Sequence, residues 1–268
     1  MPASSSHEPT TSICAASADR IEVLGRDLCG DLMGRISFTD YFYLLLTGRE
    51  PTQDQGFFLD LLLVTIAEHG LTPTVQAARM TLASDPDALQ GAVAAGLLGC
   101  GPVLLGTSDQ CGRLLVEAQT KVAAGETPEE AALTIVRRIH ESGGRVPGFG
   151  HPVHRPTDPR TERILELADA KGISGPNIAM ARNFRDAVAI VWGKPLVMNV
   201  SMPMAAVLLD LDFPPATIKA IPLLARTAGL LAHLWEERQN PTAWTMAAAA
   251  EHSVAYRSSS DTASDHEG

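Results

Sequence analysis

Between residues 20 and 255 the apolar positions recur every three to four residues and hardly ever alternate. That period predicts helices with one buried face. FTDYFYLLLT (38–47) offers Thr39 or Asp40 as start signals and stops at Gly48. The pattern predicts further helices over 54–70, ending in a glycine, and over 72–84, with Pro73 in the first turn. A helix over 85–101 would open with an Asp85 cap and Pro86. The clearest signals belong to 127–144: Thr127 as cap, Pro128 next, two early glutamates, late arginines and a glycine stop. The remaining helices are expected over 159–171, 178–192, 203–211, 215–237 and 241–255. Only IEVLG (21–25) reads as a strand. The fold class is therefore all-α. With no parallel sheet, no G-x-G-x-x-G and no G-K-[ST] loop, a Rossmann unit and a P-loop are excluded.

The two ends interrupt this pattern. Residues 1–18 and 257–268 are rich in Ser, Thr and acidic residues and are expected to be poorly ordered. The N-terminal stretch lacks the basic and apolar regions of a signal peptide. The longest apolar run, GAVAAGLLGCGPVLLG (91–106), is too short to span a membrane and carries five glycines and Pro102. Its small residues predict close helix crossings, a break near Pro102, or room for a ligand.

Composition narrows the functional classes. The 268 residues are 45% hydrophobic but only 5% aromatic, so the core must be aliphatic. The net charge of −10 and the lack of a basic block argue against a nucleic-acid partner. An anionic small substrate would need arginines concentrated against that charge. Cys14, Cys29, Cys100 and Cys111 form no C-x-x-C pair and read as the reduced thiols of a cytoplasmic protein.

Chemistry concentrates in RVPGFGHPVHRPTDPR (145–160), a run that cannot be a regular helix or a central strand. His151 and His154 have the spacing of half a metal site, but no third ligand of a familiar pattern stands nearby. Asp158 and Pro159 start a helix, with Arg160 in its first turn, which makes a carboxylate or phosphate site. His69, in AEHG, reads either as a histidine favoured at a helix C-terminus or as a site residue. Arg226 interrupts an apolar helix and shares a face with His233. It must pair, with Glu236 or Glu237, or face a cavity.

These pieces together resemble the citrate synthase superfamily. GFGHPVHRPTDPR is similar to its histidine loop, G-[FYIL]-G-H-x-[VL]-x-x-x-x-D-P-R. In order along the chain, residues 22–52 resemble the superfamily's opening, AEHG its D-H-[EG], KPLVMNVSMPMAAVLLDLDFP (194–214) its P-N-V-D segment, and ARTAGLLAHLWEE (225–237) its arginine–histidine–glutamate helix. The chain's length puts it with the short citryl-CoA lyase-like members. The resemblance implies a large helical domain (20–106 with 213–256), a small one (107–212), and the active site in the cleft between them. It also implies a dimer or tetramer.

The departures bear on chemistry. The superfamily's catalytic carboxylate is replaced in Asn199-Val200-Ser201, and Leu104 stands where the synthases carry a histidine. ATP-citrate lyase lacks that histidine too. The implied activity is a citryl-CoA lyase-like cleavage or synthesis of a CoA thioester of a hydroxy polycarboxylic acid, with no tightly bound cofactor or metal. His151 is the expected base, with His69 and Ser201 assisting. Arg160, Arg226, His154 and Asn199 would hold the acid. Pro147, Gly148, Phe149, Gly150 and Lys194 would hold CoA. The rival readings are a non-catalytic paralogue binding a CoA ester or carboxylate, and a different lyase or hydrolase on the same scaffold.

Overall fold

The computed structural model describes residues 9–257. A small antiparallel sheet leads the chain: β1 (Cys14–Ala16), β2 (Ile21–Val23) and β3 (Arg26–Asp27), in that spatial order. The expected strand at 21–25 is thus the middle of three. β1 falls inside the segment expected to be unordered. It is ordered because Cys14–Ala16 pairs with Ile21–Val23 across a turn in which Ser17 N–H donates to the Arg20 carbonyl at 2.8 Å. Residues 1–8 and 258–268, the rest of the segments expected to be unordered, lie outside the described residues. One π-helical turn (Leu28–Leu32) follows the sheet.

Helices make up the rest: α1 (Phe38–Thr47), α2 (Gln53–Ala67), α3 (Pro73–Ser84), α4 (Leu89–Leu98), α5 (Thr107–Ala123), α6 (Pro128–Glu141), α7 (Pro159–Ala170), α8 (Pro176–Trp192), α9 (Ser201–Asp210), α10 (Ala220–Gln239) and α11 (Ala243–Ser253). Their starts are written in local chemistry. Thr52 with Gln55, and Thr127 with Glu130, form reciprocal capping boxes that satisfy backbone donors on α2 and α6.

Four expectations are corrected. The helix placed over 85–101 starts only at Leu89, because Asp85 terminates α3 and the Pro86 carbonyl accepts from Arg238 of α10 at 3.0 Å. α2 ends at Ala67 rather than Gly70, where Glu68 turns extended and takes the His69 and Gly70 amides on its own carboxylate. His69 is therefore not a helix-capping residue. The span 215–237 divides into a 3₁₀ turn (Pro215–Thr217) and α10. Finally, α5 was not anticipated. Its buried positions, Ser108, Cys111, Gly112, Leu115 and Ala118, do carry the helical period, but Gly112 in mid-helix obscures it. A side chain at Gly112 would meet Ile218 Cδ1 at 2.6 Å.

The main core joins α2 to α5–α9. At its centre is α9, buried without interruption from Met202 to Leu208. A second cluster joins α3, α4 and α10 through Val75, Ala78, Leu82, Ala92, Leu230 and Leu234. Gly96 belongs to a close crossing, since a Cβ there would stand 2.8 Å from Leu230 and 3.0 Å from the Thr74 carbonyl. No helix among the described residues is long and apolar enough to cross a membrane.

The tightest approach is at Gly229, where an added Cβ would lie 2.0 Å from the Ala67 carbonyl oxygen. A backbone atom cannot swing aside as a side chain can. Gly229→Ala is expected to lower unfolding free energy by about 1–3 kcal/mol or more, the cost of overpacking. Urea unfolding measures it, and an unchanged midpoint would contradict the crossing.

Candidate active site

The loop at 145–160 is pinned at both ends. Val146 is buried, and Gly148 to Gly150 run alongside 197–199 like a short strand. The Asn199 N–H donates to the Gly148 carbonyl at 2.8 Å, and the Gly150 N–H donates to Val197 at 2.7 Å. The Asn199 side chain donates to the Gly150 carbonyl at 3.0 Å. Gly148 and Gly150 both have positive φ, +82° and +92°. A Cβ on Gly148 would lie 2.8 Å from Cys111 Sγ and Met202 Cβ, so this glycine is a packing position. Gly150 opens to the cleft.

His151 follows directly. Its Nδ1 accepts the Val153 and His154 amides at 3.1 and 2.9 Å. A neutral imidazole has one proton, so these two bonds put it on Nε2. His154 stacks on the ring with centroids 4.3 Å apart. Beyond the loop, Asp158 caps α7 and is completely buried. It accepts from the Arg160 backbone N–H (3.1 Å), Nε (3.0 Å) and Nη2 (2.8 Å). Burial alone would push this carboxyl up, but the hydrogen bonds and charge of Arg160 outweigh it and hold it below its ordinary value.

Arg160 is thereby held between two imidazoles. Its Nη1 is 3.2 Å from His69 Nδ1, and its Nη2 is 3.4 Å from His151 Nε2. The latter contact sets a donor against a donor, so both point at a place where an oxygen acceptor belongs. Partial desolvation, then Arg160 and Arg226, pull the His69 pKa down. Desolvation, then His154, do the same to His151. Both shifts favour the neutral ring.

Arg226 closes the opposite wall. Its expected partners, Glu236 and Glu237, are taken by Arg79, a buried residue of α3 that sequence reasoning missed. Arg226 is itself buried, reaches only the Ile66 carbonyl at 3.5 Å, and leaves Nε and Nη1 without partners. These groups share one cavity of about 370 Å³. Into it the fold brings His69, Gly150, His151, Arg160, Asn199, Ser201 and Arg226. Ser201 is the first residue of α9. His154 lies behind His151, while Pro147, Gly148 and Phe149 are not part of the lining. Lys194 is exposed just beyond α8 and also lies outside the lining. Thr72, Thr74 and Thr107 also line the cavity, and no sequence signal pointed to them. No carboxylate lines it.

His151, His154 and Asp158 bring potential metal ligands within 4.8 Å of one another. Three of the roughly four acceptor positions of Asp158 are filled by Arg160, and that guanidinium repels a second cation. The arrangement suits an anion.

With this geometry, family comparison is decisive. The model for the citrate synthase C-terminal domain matches residues 14–245. The chain belongs to the citrate synthase family. It is 26% identical over 200 residues to citrate synthase 2 of Bacillus subtilis, covering 74% of this chain and 52% of that one. It is 30% identical over 197 residues to a putative citrate synthase 2 of Mycobacterium bovis, covering 71% and 50%. The chain thus spans about half the length of these relatives. Citryl-CoA lyase from Hydrogenobacter thermophilus superposes with a TM-score of 0.82 at 28% identity, over 94% of this chain and 96% of that one. ATP citrate lyase from Methanothrix soehngenii shares the fold, with a TM-score of 0.74 at 20% identity over 94% and 42%.

Two predictions follow from the electrostatics. Because His69 and His151 titrate lower in the folded than in the unfolded state, the unfolded chain binds more protons just below pH 6.5. Stability is therefore full above that pH and falls as pH drops toward 5. Thermal unfolding across pH 5–7.5 should show the slope, and a His69→Gln/His151→Gln double variant should flatten it. The two arginines should also differ. Arg226→Met removes a buried cation with orphan donors and should hold or raise stability, by up to about 1–3 kcal/mol. Arg160→Met strands the buried Asp158 carboxylate and should destabilise by up to about 3–5 kcal/mol. Equal losses in urea unfolding would overturn the distinction.

Proposed function

We propose that the protein is a carbon–carbon lyase of the citryl-CoA lyase type, acting on the CoA thioester of a hydroxy polycarboxylic acid. The observation that carries this reading is the cavity with two guanidiniums, two neutral imidazoles and no carboxylate. It is complementary to a ligand with several carboxylates. The near full-length likeness to a citryl-CoA lyase supports the same reading.

In cleavage, the bond between the carbinol carbon and the carbon next to the thioester breaks. Its electrons pass into the thioester enolate, and the carbinol oxygen becomes a carbonyl. Arg160 and Arg226 hold carboxylates, and Asn199 with His154 maintains the loop that presents His151. His151, expected from sequence as the base, is read here as the group that faces the carbinol oxygen. Its neutral ring offers Nε2–H, which stabilises charge developing on the carbinol oxygen. The carbinol proton passes to the neutral His69 ring, which then delivers it to the enolate carbon, so that both imidazoles end as they began.

The missing carboxylate leaves the proton transfer at the enolate carbon to another group, and the His69 ring or the Ser201 hydroxyl stands in the cavity to make it. By microscopic reversibility the same group acts as acid in cleavage and as base in synthesis. CoA is a substrate here, not a resident cofactor. Gly150 and its neighbours from Pro147 would meet its adenine end through the backbone, and Lys194 a phosphate. Eight lining residues come from 20–106 with 213–256, and eight from 107–212, which supports the two-domain division with the site between. Exposed Leu98, Val103, Trp235 and Trp244 support a homo-oligomer. Light scattering should therefore give a multiple of the 28.5 kDa chain mass.

The decisive measurement is release of the 2-oxo acid and acyl-CoA from citryl-CoA. His151→Gln should lower turnover about 10²–10⁴-fold, the worth of a positioned acid–base group, with CoA affinity within a few-fold of wild type. Tight binding of citryl-CoA without turnover would instead establish a binding paralogue.

A further inference from the structure

Arg226, Gly229 and His233 recur at three- and four-residue steps on one face of α10. That face receives the end of α2 one residue at a time. Arg226 donates to the Ile66 carbonyl, Gly229 makes room for the Ala67 carbonyl, and His233 Nε2 stands 2.8 Å from Glu68 Oε2. On the far side of His233, Arg79 Nη2 is 2.6 Å from Nδ1. A guanidinium has no acceptor, so Nδ1 accepts and the neutral ring aims its Nε2 proton at Glu68. Arg79 is itself immobilised, 1% exposed, by Glu236, by Glu237 at 2.9 Å and by Thr242 Oγ1 at 3.2 Å. Glu68 Oε1, itself 2.9 Å from the same Nε2, also accepts the His69 amide at 2.7 Å and the Gly70 amide.

We propose that His233 and Arg79 are positioning residues for His69. They hold the Glu68 carboxylate so that it fixes the backbone turn presenting the His69 imidazole to Arg160. Neither residue lines the cavity. The polarity runs one way, from buried guanidinium through imidazole and carboxylate to two backbone amides. Packing α3 against α10 requires no such order. That the turn matters for turnover rests on the lyase reading above; the positioning does not.

The test needs no ligand. In protein labelled with ¹³C-histidine, the His69 ring is assigned from the His69→Gln spectrum and titrated. The groups facing it are Arg160 and Asp158 from α7, Arg226 from α10, Glu68 from its own turn, and His151. In the wild type its pKa should lie below the ordinary value, from partial desolvation and then the two arginines. His233→Leu should release the turn, move the titration up toward that ordinary value, and speed amide exchange at His69 and Gly70 by about ten-fold or more. Exchange at Leu230 and Leu234, inside α10, should stay slow. His233→Gln keeps one acceptor for Arg79 and one donor for Glu68 and should restore both readouts. If His233→Leu does not fold, Glu68→Ala alters only an exposed side chain and should produce the same fast exchange at Gly70. Unchanged His69 titration and exchange in these variants would overturn the proposal, as would a His233→Gln that behaves like His233→Leu. Failure to cleave citryl-CoA would sink the lyase reading and leave these outcomes untouched.

Discussion

The site depends on one ion pair. Asp158 is completely buried, and a carboxylate there stays ionised only if a cation is brought to it. The chain supplies that cation two residues later, on the first turn of the helix that Asp158 itself caps. Arg160 must fold back to reach it, and the remaining edge of its guanidinium then falls between His69 and His151. One buried acid thus fixes an arginine, and the arginine helps keep two imidazoles neutral.

A protein with ten more acidic than basic charges would not seem suited to anionic substrates. The cavity inverts that balance locally, because its acids are withdrawn from the lining. Asp158 lies beneath Arg160, and Glu68 is occupied by His233 and two amides. Charge separation over a few ångströms, in partly desolvated surroundings, sets the field that a ligand meets far more than net charge does.

Much of this was legible in the sequence, for physical reasons that differ from residue to residue. Periodicity and caps located ten of the helices, because those signals are local. The histidine loop was legible because so many prolines and glycines leave it no regular structure. What could not be read was the partner of each charge. Arg226 and the pair Glu236–Glu237 lie on one helix, yet the glutamates belong to Arg79, more than 150 residues away in the chain. Nor could the sequence reveal that Arg160 is paired with a buried carboxylate while Arg226 lines the cavity with two donors unpartnered. α5 was missed despite its period, because Gly112 looks like a break until Ile218 is found pressed against it.

Arg226 shows how binding and architecture are joined. Its two unpartnered donors are a standing cost in the unliganded protein, since buried N–H groups without acceptors forfeit their hydration. A carboxylate in the cavity removes that cost, so part of the affinity for an anion is already stored in the empty site. The same side chain also touches the Ile66 carbonyl, on the α2 end that Gly229 and His233 hold. An anion that draws the guanidinium into the cavity therefore pulls on the segment carrying His69. Arg226 and the contacts that hold the turn carrying His69 share one face of α10, so neither can shift without the other.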